Sequence, residues 1–151
     1  MVMYLDTAII VKLLVREPES AWFERNLSGH HFESSELALT EVCAALLFKE
    51  RAGDITPDER VQALGKFFSL LKSELILLHR LNRGVLERGH SILLACHPHI
   101  PLRTLDALHV ATCDLHHGDR MSATDGRIRS ACKQLGIALT PETMEELTQP
   151  K

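Results

Sequence analysis

The sequence predicts an α/β domain built on a mostly parallel sheet, and three observations carry that prediction. Short apolar runs of strand length alternate with longer segments of helical periodicity. The first run, Val2 to Leu5, has no polar interruption, as in a strand covered on both faces. Two of the runs lead into an aspartate, Asp6 and Asp125, at the strand ends where open α/β sheets bind ligands.

The elements follow in order. After Asp6, Thr7 can act as the N-cap of a helix whose apolar face is Ile10, Val11, Leu13 and Leu14. Ser20 to Leu27 reads as a short helix closed by Ser28-Gly29, and His31 to Ser35 as a second, weakly patterned strand. Leu39, Val42, Cys43, Leu46 and Leu47 form one helical stripe that Gly53 ends, which puts Glu41 nearly opposite, on the solvent side. Thr56-Pro57-Asp58-Glu59 is a capping box with Pro at the first helical position, opening a helix through Leu71. Leu75 to Leu78 is the third strand, and Asn82 caps a helix running to Cys96.

Pro98 and Pro101 then punctuate a loop. Thr104 starts a helix ending near His117 with Gly118 as its cap. That helix carries Leu108, Ala111 and Leu115 on one side and Asp106, His109, Val110 and Cys113 on the other, so both sides should be covered. Met121 to Ala123 is a brief fourth strand before Asp125. Arg127 to Leu135 is a helix capped by Gly136, Ile137 to Leu139 a last strand, and Pro141 to Leu147 a short acidic helix.

The totals narrow the function classes. A length of 151 residues suits one domain over 1–151 with a core of its own. The net charge of −3 excludes a general basic coat, so any nucleic acid must be held by a local patch. One Trp, one Tyr and five Phe argue against extensive base stacking. Cys43, Cys96, Cys113 and Cys132 are scattered among apolar residues and read as core thiols in a reducing compartment. The apolar start is broken at Asp6, unlike a signal peptide, and no run reaches the ~20 apolar residues of a membrane helix. A cytoplasmic protein with no membrane partner is expected.

Asp6 ends a strand, Asp125 follows one, and Asp106 sits in the first turn of the doubly covered helix. On an open parallel sheet all three can converge at its C-terminal edge. Carboxylates within a few ångströms of one another need compensation. A hard divalent cation such as Mg²⁺, sharing carboxylates, waters and substrate phosphates, is the usual one. That chemistry points to metal-assisted phosphodiester hydrolysis.

Four stretches then carry a resemblance. They are Leu5-Asp6-Thr7-Ala8 with Lys12-Leu13-Leu14, and Ser35-Glu36-Leu37-Ala38-Leu39-Thr40-Glu41. The third is Thr104-Leu105-Asp106-Ala107-Leu108-His109-Val110-Ala111-Thr112, and the fourth Asp125-Gly126-Arg127-Ile128-Arg129-Ser130-Ala131 with Gly136. In this order and spacing they resemble the PIN-domain nucleases, and among them the VapC-type toxins of prokaryotic toxin–antitoxin pairs.

The resemblance implies a three-layer α/β/α sandwich and a Mg²⁺- or Mn²⁺-dependent endoribonuclease. It places the family's four acids on Asp6, Glu41, Asp106 and Asp125, as catalytic residues and metal ligands. It thereby promotes Glu41, which periodicity leaves on the surface. Thr7 and Thr124 stand beside the acids as supporting residues. Where family members often carry Ser or Thr two residues before the fourth acid, this chain has Ala123, between Ser122 and Thr124. The implied partners are an RNA substrate, a cognate antitoxin and a second copy of the chain. An antitoxin Arg inserted among the acids, between the Leu39–Ala52 and Pro57–Leu71 helices, is the expected form of inhibition.

Rival readings are weaker. The pairs His97-Pro98-His99 and His116-His117 lack the spacing of a zinc site. A phosphotransferase with Asp6 as nucleophile would carry a second Asp where Ala8 stands. A non-catalytic module on the same fold would be expected to lose acids, and all four are present. A PIN nuclease of RNA processing, without an antitoxin, is the remaining alternative. Lys12, Arg16, Arg103, Arg127 and Arg129 are the basic residues nearest the motifs and the candidates for phosphate contact.

Overall fold

The computed structural model describes residues 1–149. The strands are β1 (Val2–Leu5), β2 (His31–Ser35), β3 (Ile76–His79), β4 (Arg120–Ser122) and β5 (Leu139–Thr140). The helices are α1 (Thr7–Leu14), α2 (Ser20–Leu27), α3 (Ala38–Ala52), α4 (Pro57–Lys72), α5 (Arg83–Cys96), α6 (Thr104–Leu115) and α7 (Gly126–Leu135). All four strand pairings are parallel, in the order β3-β2-β1-β4-β5.

β1 is central, and its pleat explains the two cores. Met3 and Leu5 point into a cluster with Ile10 of α1, Phe23 of α2, Val42 and Leu46 of α3 and Phe67 of α4. Tyr4 points the other way, into a cluster with Ile92 of α5, Val110 of α6 and Ile128 of α7. Helices therefore cover both faces, giving the expected three-layer sandwich. The chain leaves β1 for β2 and β3 on one side, then returns to β4 and β5 on the other. The reversal opens a crevice at the C-terminal ends of β1 and β4.

Several local expectations change. Asp6, not Thr7, is the N-cap residue of α1, and it is extended there without a side-chain cap bond. Residue His117 takes the left-handed conformation (φ 53°) after α6, one position before Gly118. β3, β4 and β5 shift by one or two residues, and the C-terminal helix is a 3₁₀ turn over Met144–Leu147.

The larger correction concerns α3. Leu39 and Leu47 are 42% and 37% exposed, whereas Ala38, Val42 and Leu46 are buried. The inward face is thus rotated from the leucine stripe, and Glu41 lies at its edge rather than opposite it.

Candidate active site

Each acid arrives by a different local rule. Asp6 is the residue at which the central strand becomes a helix, so it stays 7% exposed under the sandwich. Glu41 comes from the first turn of α3, and Asp106 from the first turn of α6, also 7% exposed. Asp125 is the N-cap of α7, its Oδ1 accepting from the amides of Arg127 (2.8 Å) and Ile128 (3.2 Å). All four line one groove of about 410 Å³, together with Thr7, Lys12, Glu17, Lys49 and Arg103.

Asp6 is the least compensated of them. No side chain donates to it within hydrogen-bond distance among the described residues, and the His109 Nε2 lies 4.0 Å from its Oδ1. Burial pushes its carboxyl above the ordinary 3.8; His109 pulls it back, while Glu41 and Asp106 add to the rise. Asp106 is compensated within the chain. Arg103 donates to it from Nε (3.0 Å), Nη2 (3.3 Å) and the backbone amide (3.2 Å). The same Nη2 is 3.8 Å from Asp125 Oδ2.

Glu41 accepts at Oε1 from His109 Nε2 (2.5 Å) and from Thr7 Oγ1 (3.1 Å). His109 is fully buried and was not among the site residues read from the sequence. The signal was there: a polar ring on a helix apolar on both sides, three residues after Asp106. Thr7 is brought to the acids. Thr124 is half-buried and is not part of the groove lining, and Ala123 is buried in the core.

The basic candidates separate. Arg129 is buried and holds the carbonyls of Ala123 (2.9 Å), Pro141 (3.0 Å) and Glu142 (2.9 Å), so it braces the loops around β4 and β5 instead of reaching substrate. Lys12 is held by Glu17 (2.7 Å) and Glu19 (2.9 Å), and Lys49 pairs with Glu17. Arg16, 78% exposed, lies 4.0 Å from Glu24 on the surface. Arg103 and Arg127 flank Asp125 at the groove.

The donor set fits a hard cation: oxygen ligands only, and a buried Asp6 that receives no side-chain hydrogen bond among the described residues. Among the described residues no three His, Cys, Asp or Glu form a ready-made cage. An open, acid-lined groove suits an ion that keeps several of its own waters, as Mg²⁺ does.

The sequence profile of the PIN domain matches residues 3–134, which carry all four acids. The chain belongs to the PIN-domain family. Within it, the chain is 40% identical over 139 residues to Ribonuclease VapC46 of Mycobacterium tuberculosis, covering 90% of this chain and 94% of that protein. It is thus a PIN-domain relative of the VapC ribonucleases.

Solved structures share the PIN fold. VapC20 of M. tuberculosis, described as a sarcin-ricin loop cleaving toxin, superposes with a TM-score of 0.66 at 17% identity, over 85% of this chain and 94% of that one. VapBC2 from Rickettsia felis, solved bound to a promoter DNA fragment, gives 0.65 at 12% identity, over 92% and 97%. Among the described residues of this PIN domain no helix is long and apolar enough to cross a membrane.

Proposed function

We propose that this PIN nuclease is a Mg²⁺- or Mn²⁺-dependent endoribonuclease and the toxin of a toxin–antitoxin pair. It acts in the cytoplasm, with residues 1–151 working as one domain. One observation carries the reading. Four acids from four separate elements line one groove at the sheet's reversal point, and one of the two most buried, Asp6, receives no side-chain hydrogen bond among the described residues.

In this reading Asp6, Glu41, Asp106 and Asp125 hold the ion. Glu41 Oε1 and Asp125 Oδ1 already accept hydrogen bonds within the protein, so each would offer the ion its remaining carboxylate oxygen. When bound, the ion offsets charge developing on the phosphoryl group and lowers the pKa of water. Arg103 and Arg127 orient the scissile phosphate from the Asp125 side. Thr7 holds the Glu41 carboxylate through its hydroxyl. The substrate class is single-stranded or looped RNA, whose unpaired bases leave the backbone accessible.

A protein partner is supported by the surface beside the groove. Leu39, Leu47 and Phe48 of α3 and Val61 and Phe68 of α4 are each exposed, and Phe48 lines the groove. A cognate antitoxin, and a second copy of the chain, are the proposed occupants of such apolar surface. The structure modifies the expected inhibition in one respect: the chain's own Arg103 already lies among the acids, so an antitoxin Arg must displace or share with it.

The test is cleavage of a hairpin-loop RNA by purified protein with Mn²⁺, with EDTA, and with Asp6→Asn. Cleavage should require the metal and disappear in the variant. Full metal-dependent activity in Asp6→Asn would place the centre elsewhere.

A further inference from the structure

His109 sits in α6 and is 1% exposed. Its ring links α6 to the central strand and to α3 of the other helical layer. Nδ1 is 2.9 Å from the Tyr4 hydroxyl on the central strand, and Nε2 is 2.5 Å from Oε1 of Glu41 on α3. A carboxylate can only accept, so the proton facing Glu41 is on Nε2. In the neutral ring Nδ1 is then the acceptor, and the Tyr4 phenol donates to it. Burial keeps Tyr4 a phenol by raising its pKa well above 10.0.

The second donor on Glu41 uses the same oxygen. Thr7 Oγ1 lies 3.1 Å from Oε1 and 3.3 Å from His109 Nε2. Both donors therefore load Oε1, while Oε2 has no protein donor within hydrogen-bond distance among the described residues. Glu41 is a long side chain, 25% exposed, on the rim of the groove. Unrestrained, it would gain rotamer freedom by turning to solvent.

We infer that His109, oriented by Tyr4, is a positioning residue that fixes Glu41 with one free oxygen at the groove and so sets the metal affinity of the site. The inference rests on the proposed metal centre and adds to it a residue outside the four acids. Outer-sphere hydrogen bonds of this kind orient ligands and, when removed, typically weaken metal binding about 10–100-fold.

The experiment is calorimetric titration of Mn²⁺ into RNA-free protein for wild type, His109→Leu, His109→Gln and Tyr4→Phe, with folding checked by circular dichroism. His109→Leu should raise the Mn²⁺ Kd about 10-fold or more and lower kcat while leaving the KM for RNA within about two-fold. His109→Gln, whose amide can again donate to Glu41, should recover most of the affinity. Tyr4→Phe touches no acid and keeps the ring volume. It should raise the Kd about 3-fold, the effect of losing one orienting hydrogen bond, and it decides the question if the Leu variant does not fold. Unchanged Mn²⁺ affinity in folded His109→Leu or Tyr4→Phe overturns the inference. Wild type that binds no Mn²⁺ overturns the metal centre itself, a separate outcome.

Discussion

The two ends of the groove hold charges buried to a similar degree and treat them in opposite ways. At one end Lys12 and Glu17, 12% and 16% exposed, are locked to each other and to Glu19 and Lys49. At the other, Asp6 receives no side-chain hydrogen bond among the described residues, and the nearest nitrogen of His109 is 4.0 Å away. Burial opposes ionisation of Glu17, yet hydrogen bonds from Lys12 and Lys49 outweigh it and hold its pKa below the ordinary 4.5. At Asp6 burial outweighs the pull of His109, and the pKa rises. Charges neutralised within the chain build structure; a buried carboxylate short of partners is what the proposed metal centre would use.

The strongest way to test that contrast is Asp6→Asn. Because a ligand should matter more than its outer-sphere support, RNA cleavage should fall by more than about 100-fold. The same change removes an uncompensated charge, so in EDTA the melting midpoint should rise by about 2–4 °C, the shift of ~1 kcal/mol in a chain of this size. A lowered midpoint would mean that Asp6 is structurally paired after all.

Glu17→Gln is the complementary change at the other end. It leaves Lys12 and Lys49 without their shared partner and should cost about 1–2 kcal/mol, between the values for exposed and fully buried pairs. Mn²⁺ affinity should stay within about two-fold. Thermal melts and Mn²⁺ titration read the two effects separately.

Acid should then act on the two ends with opposite sign. Asp6 has a folded pKa above 3.8, so its destabilising charge is fully present above that folded pKa and is gone below 3.8. Glu17 has a folded pKa below 4.5, so its stabilisation is complete above 4.5 and is lost as pH falls through the folded value. In EDTA, the midpoint gain of Asp6→Asn over wild type should shrink as pH falls toward 3.8. The midpoint deficit of Glu17→Gln should begin to close only below 4.5. Parallel pH dependence in the two variants would refute the contrast.

The smallest expected effect is at Arg103, which lies on the acid side but is 64% exposed. Arg103→Gln should leave folding unchanged, tighten Mn²⁺ by freeing Asp106, and reduce the salt slope of RNA binding by about 0.7, one phosphate contact on a single strand. An unchanged slope removes Arg103 from the substrate path.

The sheet and most helices were legible because their signals are local: an unbroken apolar run for β1, a capping box for α4, glycines after α3 and α7. Asp6 and Asp125 were legible for the same reason, as strand-end acids. Glu41 was not. α3 carries Leu39 and Leu47 on an exposed face, so of the apolar stripe that periodicity found the core uses Val42 and Leu46 but not those leucines. Only the resemblance brought Glu41 to the site. His109 was visible as an oddity on α6 but its meaning was not, because Tyr4, Thr7 and Glu41 meet it only in three dimensions. The end of α6 was misplaced because His117 adopts a backbone conformation expected of Gly118.

The strand order β3-β2-β1-β4-β5 has a consequence during synthesis. Of the five strands β1 precedes the others in sequence and is central, and its neighbour β4 is made only after β2, β3 and the helices up to α6. Glu41 emerges early, but Asp106 and Asp125 come from the last third, and Asp125 takes its place only as α7 forms behind it. A nascent or prematurely terminated chain therefore displays Asp6 and Glu41 without the other two acids. On the proposed reading the acidic site is assembled only once α7 has been made.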